Sequence, residues 1–470
     1  MQHLRIERLS RKTHAGVVEA LEFRDGLNLV TGPPNAGKTQ WVRMLDYLFG
    51  DPEPFFNRFP RENFAQYESI AAEVRLGSES FQLERFIGLD GMKTKVEIDG
   101  TSHDLKGFQH WLLGKLDYPP VRYPKGVSSL ERTWPELSFR TLYRHIYRQQ
   151  RFWSDLADRQ TPIETSACIL QFLDLAADVY GEDLQKLRSL RERADRHAVE
   201  IYAGRMALWL MAGGSTAELP DAKALNALNP KRIVSKLQEE LSALEAAIQL
   251  GPESTAPAQI PDRARLEQLV ADARRAGEGH ERLRSAEVLQ SWSSTSEVHL
   301  KQTQQEIWEL SERIRLADLS DMLKKRTDFL CEAMNEYLRL VNQLNPQLWR
   351  HRDVSIRISR RNELQLCVGD VQWDRALGGS DGLLFLMAYH YGLLSLSAQD
   401  EFRYPGIVVV DFPAYFRGRA ISEIEGLVTK PFADLLEREA FSTCQVIFVG
   451  ASFSGENRCH RIMLDSGYLH

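Results

Sequence analysis

No stretch of this chain is both long and apolar enough to cross a bilayer. The most hydrophobic run, Leu383 to Leu396, contains Tyr389, His390 and Tyr391 and falls short of the ~20 residues that about 30 Å of hydrocarbon needs. Behind Met1 come Arg5, Arg8, Arg11 and Lys12 with no apolar segment following, which excludes a secretory leader and makes a cytoplasmic location the expectation, with no membrane partner. Cysteine is scarce: Cys168, Cys331, Cys367, Cys444 and Cys459 are odd in number, far apart and form no CxxC pair. A disulfide framework and a zinc site are therefore excluded, and reduced thiols are expected. Neither sign of charge dominates. A formal net charge of −6 argues against a surface that coats nucleic acid indiscriminately, although a local basic groove stays open. Hydrophobic residues at 43% and charged residues at 26% are those of a folded globular protein, and 470 residues exceed what one core organises. Two or three structural units are expected.

What is present changes along the chain. Up to about residue 122, short β-branched or aromatic runs alternate with Gly/Asp turns, predicting strands at Leu4–Leu9, Val17–Phe23, Leu27–Thr31, Ala71–Leu76, Phe81–Ile87 and Thr94–Ile98. From about 165 to 345 the texture becomes Leu, Ala, Glu, Arg and Gln at helical spacing. After 350 strands return at Val354–Ile358, Leu364–Val368, Ile407–Val410 and Val446–Val449, so the two ends read as halves of one α/β domain. In the middle, Leu237, Leu241, Leu244 and Ile248, and then Leu300, Ile307, Leu310 and Ile314, follow heptad-like spacing. The segment Gly251 to Asp262, with Pro252, Pro257 and Pro261, reads as the tip of an antiparallel helical hairpin. Breaks at Gly213 to Pro230 and at Ser291 to Ser296 predict an elbow in both arms; a compact helical domain is the alternative. Interleaved charges across this region read as a solvated surface.

The strongest signal is Gly32-Pro33-Pro34-Asn35-Ala36-Gly37-Lys38-Thr39, which fits the Walker A phosphate loop without exception. The strand Leu27 to Val30 leads in and a helix from Gln40 to Leu48 leads out, so backbone N–H groups and a helix N-terminus can surround phosphates. Lys38 is expected to reach the β- and γ-phosphates, and Thr39 to ligate Mg²⁺. Far downstream, Ile407-Val408-Val409-Val410-Asp411 is an apolar strand ending in a carboxylate, the Walker B form, expected beside the P-loop strand with Asp411 on the Mg²⁺. The pair predicts a site for ATP and Mg²⁺ that forms only when both chain ends fold together.

A helical insertion between Walker A and Walker B halves resembles the SMC, RecF and RecN group of ABC-type ATPases. The likeness covers about 1–160 and 350–470. It implies an ABC-type P-loop head assembled from N-terminal (1–160) and C-terminal (346–470) halves, with an inserted coiled-coil-like helical hairpin over 161–345. In that group a signature of the LSGGQ kind contacts the γ-phosphate held by the opposite protomer. Leu377-Gly378-Gly379-Ser380-Asp381-Gly382 stands in that place, with Ser380 as the phosphate-contacting residue. The Q-loop glutamine, which senses Mg²⁺ and the attacking water, falls at Gln149-Gln150, with Gln150 preferred. The family's D-loop corresponds to Phe412 to Gly426, where Tyr415, Phe416, Arg417 and Arg419 are candidates for a dimer or nucleic-acid contact. Lys38, Asp411, Gln150 and Ser380 are thus the expected catalytic set, and Thr39, Asp411 and Gln150 the expected metal ligands.

Departures from that pattern matter as much. The glutamate usual after the Walker B aspartate is replaced by Phe412-Pro413, and phenylalanine accepts no proton. The switch histidine is missing too, because Gln445 to Val449 runs into Gly450-Ala451-Ser452-Phe453, where Ser452 is the polar group. General-base and charge-stabilising groups contribute about 10²–10⁴ each, so hydrolysis should be slow unless Glu423, Glu425 or a partner supplies the group. The tip carries no cysteine for a zinc hook, no N/T-K-x-D guanine motif follows, and transport subunits lack such an insertion. The resemblance implies a homodimer with ATP sandwiched between heads. Compact SMC-like ATPases with Asp-Phe-Pro or Asp-Gln-Pro at Walker B are similar to components of bacterial antiphage defence systems. A separate nuclease or toxin effector is then the expected partner, and whether DNA is bound stays open. The alternatives are a RecF/RecN-type repair or chromosome-organising ATPase and a non-hydrolysing assembly protein.

Overall fold

The computed structural model describes residues 2–88, 94–125, 134–211, 235, 238–239, 280–314, 316–359, 363–413, 415–416, 419–420, 424–450, 453 and 457–465. The chain is a mixed α/β protein of two compact units. Met1–Gly181 with Ala317–His470 form the larger, and Glu182–Leu316 the smaller.

In the larger unit, β1 (Leu4–Thr13) and β2 (Val18–Glu22) precede β3 (Gly26–Thr31) and α1 (Lys38–Leu48). The short helices α2 (Phe55–Arg58) and α3 (Arg61–Phe64) lead to β4 (Tyr67–Leu76), β5 (Glu79–Phe86), β6 (Lys95–Ile98) and β7 (Thr101–Asp104). Then come α4 (Leu105–Lys115), α5 (Phe139–Ile146), β8 (Tyr147–Arg148), α6 (Pro162–Phe172) and α7 (Ala176–Tyr180). The smaller unit holds α8 (Glu182–Met211) and α9 (His280–Ile314). The chain returns with α10 (Leu316–Leu344), β9 (Val354–Ile358), β10 (Leu364–Val368), β11 (Val371–Gln372), α11 (Trp373–Ala376), α12 (Gly379–Leu396) and β12 (Ile407–Asp411). The last elements are β13 (Tyr415–Phe416), β14 (Arg419–Ala420), α13 (Glu425–Leu436), β15 (Gln445–Val449) and β16 (His460–Met463).

Strands from both chain ends build the central sheet. Its order is β16-β3-β15-β12-β8, parallel at every pairing. All five residues of β12 and of β15 are buried, as continuous Val/Ile/Phe runs covered on both faces require. A second, antiparallel sheet, β2-β1-β4-β5-β6-β7, comes wholly from the first 104 residues and alternates buried with exposed positions. Among the polar bonds between the two sheets, the Gln445 side chain accepts from Ile6 N at 2.9 Å and donates to Ile6 O at 2.8 Å, and His460 Nε2 lies 3.0 Å from Glu22 O.

The compact units divide at 181/182 and 316/317. The helical texture of 161–181 and 317–345 belongs to the larger unit because those helices bury apolar faces in its core. Ala167 to Leu170 and Phe172 of α6 and Leu330, Met334, Tyr337 and Val341 of α10 are core residues, and Leu364 N donates to Ser166 Oγ at 2.8 Å.

Within the smaller unit, α8 and α9 run antiparallel: His197 meets His299, Ser296 Oγ donates to Glu200 Oε2 at 3.1 Å, and Gly204 faces Trp292 and Ser293. The expected break at Ser291–Ser296 is absent, since α9 is continuous there. Ala286, Ser293, Ser296, Thr303 and Leu310 are buried at heptad spacing. The serines are seam positions whose small side chains allow close approach, and their low helix propensity is overridden by packing. The tip Gly251–Asp262, the break Gly213–Pro230 and the seam Leu237 to Ile248 lie outside the described residues. Among the described residues, no helix is long and apolar enough to cross a membrane.

A buried polar network joins α5–β8 to α12. His145 is bonded at Nδ1 to Tyr389 Oη and at Nε2 to Gln160 Oε1, both at 2.7 Å. Gln160 Nε2 donates to Thr141 O, which leaves its oxygen for His145 and places the imidazole proton on Nε2. Burial lowers the His145 pKa to about 3, and burial with the nearby Arg148 guanidinium takes His390 well below 6.5. Both rings are neutral when folded and free to charge when unfolded, so the unfolded chain binds more protons below pH 6.5. Stability is therefore fully present above that pH and falls as pH drops below it, by about 1.4 kcal/mol per unit for each histidine. Urea unfolding at pH 7.5, 6.5 and 5.5 checks this: His390→Gln, which keeps an acceptor for Arg148, is expected to make the decline shallower by about 1.4 kcal/mol per pH unit below 6.5, and an unchanged slope contradicts it.

Candidate functional site: a phosphate loop facing a buried carboxylate

The sheet register brings the site together. Val30 of β3 lies level with Val449 of β15, which lies level with Asp411 of β12. Arg148 of β8 pairs with Val410, so Gln149 and Gln150 emerge at the same carboxyl edge. That edge is where open α/β sheets bind ligands. β15 stands between β3 and β12, so the Asp411 strand is the P-loop strand's second neighbour, not its immediate one. Strands ~4.8 Å apart leave about 10 Å to cross, which residues 32–37 span before α1 begins.

Gly32 has φ +150°, Asn35 +65° and Gly37 +82°. A Cβ on Gly32 would lie 2.4 Å from Leu464 O, so only glycine fits there. Pro33, Pro34 and Asn35 are exposed at the loop's crest and Ala36 is buried beneath it. Lys38 Nζ donates to Gly32 O and Pro33 O, each at 2.7 Å, which braces the loop from inside. Burial lowers the Lys38 pKa, while the negative charges of Asp411 and Glu425 oppose that shift.

Thr39 Oγ1 is 3.3 Å from Asp411 Oδ1 and 3.4 Å from Gln150 Oε1, and Gln150 Nε2 donates to Phe412 O at 3.5 Å. Asp411 is 2% exposed, and burial raises its pKa to about 7 against the opposing effects of Thr39, Arg43 and Lys38. Its Oδ2 is buried with no hydrogen-bond partner. An orphaned carboxylate oxygen beside a hydroxyl and an amide oxygen is a set of hard donors that fits Mg²⁺ completed by phosphate oxygens and water. Thr39, Asp411 and Gln150 would hold the ion, which when bound neutralises phosphate charge.

Gln149 plays a different part from Gln150. It is buried and donates from Nε2 to Asp46 Oδ2 at 3.2 Å. Asp46, on the buried side of α1, also takes a two-pronged pairing from Arg140 and a 3.0 Å bond from Arg58 Nη1. Arg148 fixes the turn beyond, donating to Phe152 O at 2.8 Å, Asp155 O at 2.6 Å and Leu156 O at 2.5 Å. Asp46, Arg140 and Arg148 had no motif to announce them. The signal that was there is a charged residue on the apolar face of each element.

Gly378 precedes α12, whose first residue Gly379 has φ +61°, and Ser380 is its second residue; the Ser380 side chain lies outside the described residues. Asp381 Oδ2 is 2.8 Å from His351 Nε2. Phe412 is buried among Trp153, Phe448 and Phe453 with ring centroids 5.5–5.8 Å away. Tyr415–Phe416 pairs with Arg419–Ala420 as a small hairpin, whose side chains, like Arg417, Glu423 and Ser452, lie outside the described residues. Among the described residues no cluster of three or more His, Cys, Asp or Glu is placed to hold a metal.

No family model matches the sequence, and no curated protein does. Solved structures do. The chain is similar to the Smc head domain with an extended coiled coil, bound to the C-terminal domain of ScpA, from Pyrococcus furiosus. That pairing has 10% identity over 95% of this chain and 89% of the other, with a TM-score of 0.45. The Smc head domain with a coiled coil and joint from Pyrococcus yayanosii matches at 13% identity over 95% and 92%, with a TM-score of 0.39. The recombination mediator RecF matches at 9% identity over 98% of both chains, with a TM-score of 0.37. At these values the chemistry rests on the residues themselves.

Proposed function

We propose that the chain is an SMC/RecF-like, ATP-binding subunit that acts as a nucleotide-gated dimeric switch. The observation that carries this is the convergence of Lys38 and Thr39 from one chain end with Asp411 from the other, with Gln150 beside them. The P-loop from Gly32 to Thr39 would take the phosphates, and Thr39, Asp411 and Gln150 the Mg²⁺. Gly378 to Asp381 at the start of α12 would meet the γ-phosphate held by a second copy, so that ATP closes a homodimer and its loss opens it. With Phe412 after Asp411, turnover is slow unless a carboxylate from another element supplies the base, and a long-lived bound state suits a switch. Its role, on this reading, is regulation within a bacterial antiphage defence complex, with a separate nuclease or toxin as effector and DNA as a candidate trigger.

Mass in solution with and without ATP and Mg²⁺ tests the reading. The wild type is expected to double its mass with ATP–Mg²⁺, and Ser380→Arg to remain a monomer while still binding ATP. A Ser380→Arg protein that dimerises like the wild type contradicts the sandwich.

A further inference from the structure

The residue after Asp411 accepts no proton, yet a carboxylate reaches the same edge of the sheet from another element. Glu425 opens α13 and is 1% exposed. Its Oε2 accepts from Phe453 N at 2.8 Å, and its Oε1 lies where a Cβ on Gly450 would come within 3.0 Å. Gly450 N in turn donates to Val30 O at 3.2 Å, two residues before Gly32. The carboxylate therefore stands over the end of β15, the strand next to the P-loop strand. Phe453 is buried with φ +44°, a left-handed conformation that costs a non-glycine residue about 1–2 kcal/mol. Phe453 is held in that conformation by Glu425 Oε2 at its N–H and by Arg461 Nη2, which donates to Phe453 O at 2.8 Å. Strain of this kind persists where the surroundings over-determine it, and it clusters at working sites. Electrostatics agree with the geometry: the P-loop lysine, Lys38, feels the charges of Asp411 and Glu425.

We propose that Glu425 is the catalytic base, standing in for the carboxylate that Phe412 displaces. The inference rests on the reading of the site as an ATP site. Water forms a bond to the γ-phosphorus as the bond to the β–γ bridging oxygen breaks and ADP leaves. The water proton passes to the Glu425 carboxylate and from there to the released phosphate.

Phosphate release, ATP affinity and mass are measured for the full chain, Glu425→Gln and Glu425→Asp. Glu425→Gln keeps an acceptor for Phe453 N–H and is expected to bind ATP within about twofold of wild type while turnover falls about 100-fold. Its ATP-bound dimer is expected to outlast that of the wild type. Glu425→Asp, with the carboxylate drawn back by one methylene, is expected to lose about tenfold in turnover with binding kept. Either variant binding ATP and turning it over at the wild-type rate overturns the assignment, as does a wild type that binds ATP and hydrolyses none. A wild type that does not bind ATP defeats the reading of the whole site instead.

Discussion

Lys38→Ala is expected to weaken ATP binding about 100-fold while leaving the melting temperature within a degree of wild type. The ammonium makes two 2.7 Å bonds to loop carbonyls, Gly32 O and Pro33 O, and no ion pair among the described residues. Turned to the β- and γ-phosphates, those bonds become charge-assisted ones, and two at about 1.5 kcal/mol each give the stated factor. The positive φ angles of Gly32, Asn35 and Gly37 set the loop's turns, and the lysine's bonds brace an already formed loop, so the fold survives. Equilibrium titration with a fluorescent ATP analogue measures the affinity. A loss below about fivefold contradicts the placement of the phosphates against Lys38.

Arg140→Met is expected to destabilise the larger unit by about 3 kcal/mol, because it strips Asp46 of its two-pronged partner while the carboxylate stays buried. Arg58 and Gln149 still reach Asp46, which keeps the cost at the lower end of the range for a broken buried pair. Methionine fills much of the vacated volume, so the loss is electrostatic and not a cavity. Combining Arg140→Met with Asp46→Asn separates the two readings. If the pair is the source, the double variant loses well short of the sum of the single losses, and additive losses in urea unfolding contradict it. The effect should extend to nucleotide binding, since Asp46 lies on α1 and holds Gln149, whose neighbour Gln150 meets Thr39.

The sequence was legible where chemistry needs a fixed pattern or where a strand is covered on both faces. Gly32 to Thr39 is local, so its glycines and lysine stand in a readable order. Ile407 to Asp411 and Gln445 to Val449 are continuous apolar runs, which only buried parallel strands require. Strand order was not legible: β15 separates β3 from β12, and no residue in any of the three encodes its neighbour. Propensity alone reads Ser293 and Ser296 as a helix break, whereas the facing helix makes them seam residues: Gly204 lies against Ser293 and Glu200 accepts from Ser296. Gln149 and Gln150 were indistinguishable as neighbours in sequence. Their opposite directions follow from β8 ending beside Val410, a tertiary fact. Glu425 was one acidic residue among several after Phe412, and its place at the sheet edge depends on where α13 begins.

The central claim is that residues from both chain ends make one Mg²⁺–nucleotide site, and the Mg²⁺ dependence of ATP affinity tests it most directly. Titration of the wild type with ATP in Mg²⁺ and in EDTA, repeated with Asp411→Asn, is expected to show tight binding in Mg²⁺, at least about tenfold weaker binding in EDTA, and little difference between the two conditions for Asp411→Asn. Equal ATP affinity for the wild type with and without Mg²⁺, or a full Mg²⁺ response in Asp411→Asn, would contradict the account.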